Sequence, residues 1–278
     1  MVYFNQRVSL LTQHGKELVI GPELLASSGV KIIHTTGYDT DRLGTFTRET
    51  PRPGTQLEAA RKKARLGMQL TNLTTGVASE GAFSNDPHTG ILPWNYELVV
   101  FLDDMRGIEI VGHYGGGAQS VIKSISDLDQ IDEFLEIAKF PSHQLVVRPY
   151  DERYPECRKG IKDIRSLHEA IRWAKQKSKQ GKIVLENDLR AHANPTRMAN
   201  ILKATQDLSR KLSSLCPQCQ VPGFWITEFK KGLPCLECAT PTHLPTTEVW
   251  VCNQCNFKNE VELDEKFAEP SKCPQCNP

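Results

Sequence analysis

The sequence predicts an α/β protein with a mixed or mostly parallel sheet flanked by helices, followed by a C-terminal tandem zinc-ribbon region. Three observations carry that prediction. Short β-branched apolar runs alternate with amphipathic stretches of helical period up to residue 212. The 278 residues are enough for one full α/β domain and a small appendage. Eight of the nine cysteines fall after residue 215 in four C-x-x-C pairs, a pattern for metal and not for a disulfide framework. The domain boundary is placed at 212/213, giving an α/β domain over 1–212 and ribbons over 213–278. A further division of the first part into lobes 1–112 and 113–212 stays open.

Residues 8–11 form a first strand, and Thr12-Gln13-His14-Gly15-Lys16-Glu17 is a polar turn entering a short helix. His14 and Lys16 then stand at a strand's C-terminal end, where open α/β sheets gather ligands. The turn is too short for a P-loop. A second strand at 30–35 leads into a loop dense in Gly, Pro, Thr and charge, which carries Asp39, Asp41 and Glu49. Several carboxylates on one loop are candidate ligands for Mg²⁺ or Mn²⁺, which take hard oxygen donors. Residues 55–70 read as a helix capped by Thr55 or Gly54, with Leu57, Ala60, Ala64 and Met68 on one face.

Val77-Ala78-Ser79 reads as a brief strand ending at Glu80-Gly81, which makes Glu80 a candidate strand-end carboxylate. Residues 97–102 are a core strand, and 108–111 pair with it as a hairpin. The following GHYGGGAQS reads as a flexible corner. A helix at 127–139, a strand at 144–148 and an amphipathic helix at 164–179 come next. Cys157 stands alone as a reduced bystander.

The densest chemistry lies at residues 182–212. Lys182-Ile183-Val184-Leu185 predicts a buried strand, and Asn194-Pro195 opens a helix with Asn194 as N-cap. Between them a tight loop carries Asp188, Arg190 and His192, with Glu186 before it and Thr196 and Arg197 in the first helical turn. A helix N-terminus beside two arginines and a histidine outlines an anion site. Arg190 and Arg197 would grip phosphate or carboxylate as bidentate donors, while Glu186 and Asp188 hold a cation or steer the arginines. A purely structural ion-pair network stays open beside it.

In the cysteine region, the pairs Cys216/Cys219, Cys235/Cys238, Cys252/Cys255 and Cys273/Cys276 predict two closed, structural zinc sites. Sequential pairing, first pair with second and third with fourth, needs the least loop-closure entropy. Interleaved pairing would instead give a single cross-braced module. Phe224, Trp225, Lys230 and Lys231 offer an aromatic and basic surface through which the ribbons would meet nucleic acid.

Net charge is +1, with 34 basic and 33 acidic side chains, so no broad electrostatic footprint for nucleic acid or an anionic membrane exists. No apolar run approaches membrane-spanning length and the N-terminus lacks a signal layout, so a cytoplasmic location is expected.

Taken together, HGKE at 14–17, DTDRLGTF at 39–46, ASEGAF at 78–83, LENDLRAHANPTRM at 185–198 and the final cysteines resemble a bacterial family of uncharacterised proteins. The N-terminal half also resembles inosine-triphosphatase-like nucleoside triphosphate pyrophosphatases. That likeness implies that Lys16 meets phosphate and that Glu49, Glu58 and Glu80 are metal ligands. The family's T-x-N-x-x-K turn stands here as Thr12-Gln13-His14-Gly15-Lys16, and its paired aspartates as Ser79-Glu80.

Two functional expectations follow. The first is a Mg²⁺- or Mn²⁺-dependent hydrolase of a phosphoanhydride or phosphoester, with a nucleotide as the phosphate-containing ligand. In it Glu80, Asp188, Arg190, His192 and Arg197 are catalytic, and His14, Lys16, Asp39, Asp41, Glu49, Glu58 and Glu186 hold ligand or metal. The second is a non-catalytic zinc-ribbon protein that binds a nucleotide or nucleic acid.

Overall fold

A computed structural model describes residues 2–38, 54–126, 131–150 and 156–278. Asp39, Asp41 and Glu49 lie outside the described residues. The chain divides into two compact units, Tyr3–Ser209 and a second built from Arg210–Pro278 with the extreme N-terminus.

The first unit begins with β1 (Arg7–Leu11), α1 (Glu17–Ser28), β2 (Lys31–Thr35), α2 (Gln56–Thr71), β3 (Thr75–Asn85), β4 (Pro93–Asp103) and β5 (Ile108–Gly117). These strands form one sheet in the order β2-β1-β3-β4-β5. β1 runs parallel to β2 and β3, whereas β3, β4 and β5 form an antiparallel meander, so the sheet is mixed. α2 starts where the sequence calls for it: the Thr55 hydroxyl accepts from Glu58 N, and the Glu58 carboxylate accepts from Thr55 N at 2.7 Å, a reciprocal capping box. Its small-residue face, Ala60, Ala64 and Met68, packs on Ala78, Leu98, Val100 and Leu102 of the sheet.

Two sequence readings change here. β3 does not end at Glu80-Gly81 but runs on to Asn85, with Glu80 opposite Leu98 and Gly81 opposite Glu97. Glycine in mid-strand permits a close approach: a Cβ on Gly81 would fall 2.2 Å from Glu97 Oε1 and 2.5 Å from an Arg197 nitrogen. The glycine run after Val111 is likewise strand and not a flexible corner, since Gly115, Gly116 and Gly117 pair with Tyr96, Asn95 and Trp94.

A second sheet follows, from β6 (Ile122–Ile125), α3 (Ile131–Ile137), β7 (Leu145–Pro149), β8 (Arg158–Ile161), α4 (Ile164–Lys177) and β9 (Ile183–Asn187). Its order is β6-β9-β7-β8 and every pairing is antiparallel. Its core joins Phe134 of α3, Leu167 and Ile171 of α4, and Leu145, Ile183 and Leu185 of the strands. The sequence reading missed β6 and β8, edge strands of four residues each.

α5 (Pro195–Ser213) then returns to the first sheet. Asn194 Oδ1 accepts from Arg197 N at 3.0 Å, and Asn194 Nδ2 donates to Gln119 O at 2.9 Å, so the cap is tied to the chain between the sheets. At Gly112 of β5 a Cβ would lie 2.3 Å from Ala204 O, so strand and helix backbones touch. The segment β9 to α5 therefore bridges the two sheets, which is what carries its loop toward the end of β1.

The second unit is built on a three-stranded antiparallel sheet, β10 (Trp225–Lys231), β11 (Pro245–Val251) and β12 (Lys258–Glu262), in that order. Among the described residues no helix is long and apolar enough to cross a membrane.

Candidate functional site

The turn after β1 builds the first wall of a cleft. Gly15 takes φ +70°, a left-handed conformation that suits glycine, and this brings Lys16 into the first position before α1. Lys16 is 6% exposed. Its ammonium donates to the carbonyl of Ser79 on β3 at 3.2 Å, the one hydrogen bond found for it among the described residues. An ammonium carries three N–H donors, so this one is under-satisfied. Leu11, Thr12, His14, Lys16, Lys63 and Ser79 enclose a cavity of about 20 Å³, room for about one oxygen-sized group. The Ser79 hydroxyl is buried there and has no hydrogen-bond partner among the described residues.

Two carboxylates bear on this lysine, and each is matched to another cation. Glu80 forms an ion pair with Lys63 of α2, and Gln56 Nε2 donates to the Glu80 carbonyl at 2.7 Å. Glu97 of β4 accepts from Arg197 Nε at 2.8 Å, with both side chains almost wholly out of water. Arg197 also donates to Leu189 O at 2.6 Å. Sequence reasoning gave no site role to Lys63, Ser79 or Glu97. A signal for Glu97 was present, since a charged residue within the apolar run ELVVFLDD must find a counter-charge once buried.

The β9–α5 loop approaches the Thr12–Lys16 turn through its histidine. The His192 ring lies 5.4 Å from that of His14. Arg190 is bound to Asp188, with Arg190 Nη2 2.6 Å from Asp188 Oδ2, and the same carboxylate takes the backbone N–H groups of Arg190 and Gly160 at 3.0 Å. Asp188 thus holds the loop. Its burial acts to raise its pKa, but Arg190 and these donors outweigh that and hold the carboxyl below its usual value. Glu186 faces Arg148 at 3.7 Å, within the second sheet. Thr196 meets His143, whose Nε2 lies 2.9 Å from the Thr196 hydroxyl.

His14, Lys16, Glu80, His192, Arg190 and Arg197 therefore act on one another across the cleft, and the balance is electropositive. Burial, reinforced by Arg197, pushes the Lys16 ammonium down to about 7, against the pull of Glu80. Burial, then the charges of Lys16, His192, Arg190 and Arg197, push His14 down to about 3, so it is neutral at physiological pH.

The carboxylate metal site expected from the sequence is altered in one respect. Glu58 is exposed and engaged in the α2 capping box, not turned to the cleft. Among the described residues, groups of three or more metal-ligating side chains occur at the cysteines alone.

Those cysteines form two tetrads that fit two structural zinc ions. One comprises Cys216, Cys219, Cys252 and Cys255, the other Cys235, Cys238, Cys273 and Cys276. A tetrahedron with Zn–S near 2.3 Å separates its sulfurs by about 3.8 Å. Here Cys216 and Cys255 are 3.7 Å apart, Cys219 and Cys252 3.6 Å, Cys235 and Cys276 3.9 Å, and Cys238 and Cys273 3.5 Å. Each pair closes the same knuckle, in which N–H of the residue after the second cysteine returns to the carbonyl of the first at 2.9 Å: Gln220, Ala239, Asn256 and Asn277.

The pairing is interleaved, first with third and second with fourth, in place of the sequential order expected. The meander dictates this. Seven-residue β10 spans about 23 Å at about 3.3 Å per residue, so it carries the second knuckle to the far end of the sheet. Antiparallel β11 then brings the third knuckle back beside the first: Trp225 pairs with Val251, directly before Cys252. The aromatic surface expected near the first knuckle is also largely used internally. Phe224 is buried with Cys216 and Cys252, Trp225 packs edge-on against Trp250, and Lys230 pairs with Glu260.

Fold and sites together define a mixed α/β protein with a buried cationic cleft and an interleaved two-zinc cysteine module. The chain belongs to the family described as Domain of unknown function (DUF6671), which it matches over residues 63–278. No curated protein matches it.

Proposed function

We propose that the Tyr3–Ser209 unit binds a phosphate-containing small molecule, of the nucleotide class, and hydrolyses its phosphoanhydride or phosphoester bond. The observation that carries this reading is Lys16: a buried ammonium with one hydrogen bond among the described residues, in a small cavity it lines with Lys63 and with the Ser79 hydroxyl, which finds no partner among those residues. A phosphate oxygen entering that space supplies the missing acceptor. It also restores the charge balance that burial disturbs, because an anion within about 4 Å favours the protonated lysine.

In this reading Lys16 anchors a phosphate oxygen, and the charges of Arg190 and Arg197 offset negative charge that develops as the P–O bond breaks. Water attacks phosphorus and gives up a proton to solvent as the P–O bond to the leaving group breaks, and His192 delivers a proton to the departing oxygen and regains one from solvent. Asp188 positions Arg190 and takes no direct part. In the same reading Glu80 would hold a Mg²⁺ or Mn²⁺ ion together with substrate oxygens, in exchange for its ion pair with Lys63, and the ion would supply charge stabilisation to the phosphate.

The test is thermal stabilisation and turnover of zinc-loaded protein against nucleotides and phosphosugars, with and without Mg²⁺. Stabilisation that disappears in Lys16→Met, together with release of phosphate or pyrophosphate, is the expected result. A flat panel with no turnover would reject the reading.

A further inference from the structure

Beside the cationic cleft lies a second concavity, of which the phosphate reading uses His192 alone. It has a volume of about 310 Å³ and is lined by Val19 of α1, Ala191 and His192 of the loop, and Pro195, Met198, Ala199 and Leu202 of α5. Five of these seven side chains carry no donor or acceptor, and Met198 carries a weak thioether acceptor alone. The two spaces share a joint. His14 lines the first and His192 the second, their rings 5.4 Å apart. The glycine of the phosphate turn closes that joint, because a Cβ on Gly15 would lie 3.7 Å from His192 Cβ and 4.0 Å from Met198 Cε.

We propose that this groove receives the base of the nucleotide whose phosphate is anchored by Lys16. The inference rests on the phosphate reading of the cleft and deepens it by assigning the other end of the ligand. Two observations single out a flat heterocycle. The volume lies at the lower end of the range for small-molecule pockets, which suits one ring system and not an extended chain. The lining includes one imidazole, His192, whose face can stack on a ring, whereas its other side chains are aliphatic apart from the adaptable thioether of Met198.

Specificity follows from the same inventory. With His192 the sole polar side chain in the lining, the groove has almost nothing with which to read a base edge. Purines exceed pyrimidines through contact area, and adenine and guanine differ little. Strong rejection of a wrong group requires a buried polar partner left unpaired, and an apolar wall distinguishes ligands by roughly 10- to 200-fold at most.

The experiment compares tripolyphosphate, the four common nucleoside triphosphates and geranyl diphosphate by titration calorimetry on wild type, Ala199→Trp and Lys16→Met. Ala199 is exposed, so an indole there fills the groove without entering the core. In wild type, purine triphosphates bind at least tenfold tighter than tripolyphosphate. In Ala199→Trp that advantage falls to less than threefold while tripolyphosphate binding is kept, which also shows that the variant is folded. Met198→Ala, a milder change, reduces the advantage without abolishing it. Equal binding of tripolyphosphate and nucleotides, or an advantage untouched by Ala199→Trp, overturns the base assignment and leaves the phosphate reading intact. Tighter binding of geranyl diphosphate than of any nucleotide overturns it in favour of an aliphatic occupant. Binding of tripolyphosphate unchanged by Lys16→Met, or absent in wild type, overturns both.

Discussion

Lys16 couples folding to pH in a way that can be measured before any ligand is known. Its folded pKa, about 7, lies below the ordinary 10.5, so between those values the unfolded chain holds a proton that the folded chain lacks. Stability then rises with pH across that window, by at most about 1.4 kcal/mol per pH unit, and the burial penalty is fully present below pH 7. Urea denaturation between pH 7 and 10 would show this rise in wild type and a flatter profile in Lys16→Met. In the proposed phosphate reading ligand affinity has the opposite slope, because an anion favours the protonated lysine. It falls by up to about tenfold per pH unit above 7 when followed by calorimetry. Arg197 and Glu97 act together. Arg197→Met leaves a buried carboxylate without its partner and lowers stability by about 3 to 5 kcal/mol, and the double change Glu97→Met/Arg197→Met loses less than the sum of its parts in a denaturation cycle.

Among the elements, the contact between β5 and α5 is the most exacting. A methyl group at Gly112 would lie 2.3 Å from Ala204 O and 2.4 Å from Leu208 N, both helix backbone atoms that cannot swing aside. Gly112→Ala should therefore lower stability by about 1 to 3 kcal/mol in thermal or urea denaturation, whereas the same change at Gly117, with nothing within 4 Å, should have little effect. This element also explains a sequence misreading. Gly112 and the three glycines after Tyr114 look like a corner when judged locally, yet they are strand residues held in register by β4; α5 keeps Gly112 small, Trp94 and Tyr96 crowd Gly115, Tyr114 crowds Gly116, and Gly117 is open. Helices α2, α4 and α5 were legible because their caps and apolar spacing are local signals. β6 and β8 were not, since four-residue edge strands carry too little period to distinguish them from loop.

For the whole molecule, the interleaved cysteines make a prediction that sequential pairing contradicts. Changing Cys216 and Cys252 to serine disables one tetrad and leaves one bound zinc per chain, whereas changing Cys216 and Cys235 disables both. Metal analysis of the two purified variants decides between the pairings; the reverse outcome would restore the sequential order. The second tetrad contains the exposed Cys238 and Cys276, while the first has no exposed member. A chelator titration should accordingly remove zinc from the second tetrad first, seen as a first phase that is absent in Cys235→Ser/Cys273→Ser.

The sequence by itself determined the elements with strong local signals, the four metal knuckles and the Thr12–Lys16 turn, because each depends on residues within a few positions of one another. It also placed Asp188 beside Arg190, whose pairing is a two-residue affair. Tertiary structure alone decided that Arg197 answers Glu97, that Lys16 is buried against Ser79, that His14 faces His192, and which knuckles share a metal. Those outcomes join residues tens of positions apart or more. Strand order, strand length and register fix them, and none of the three is written in the spacing of the residues that finally meet.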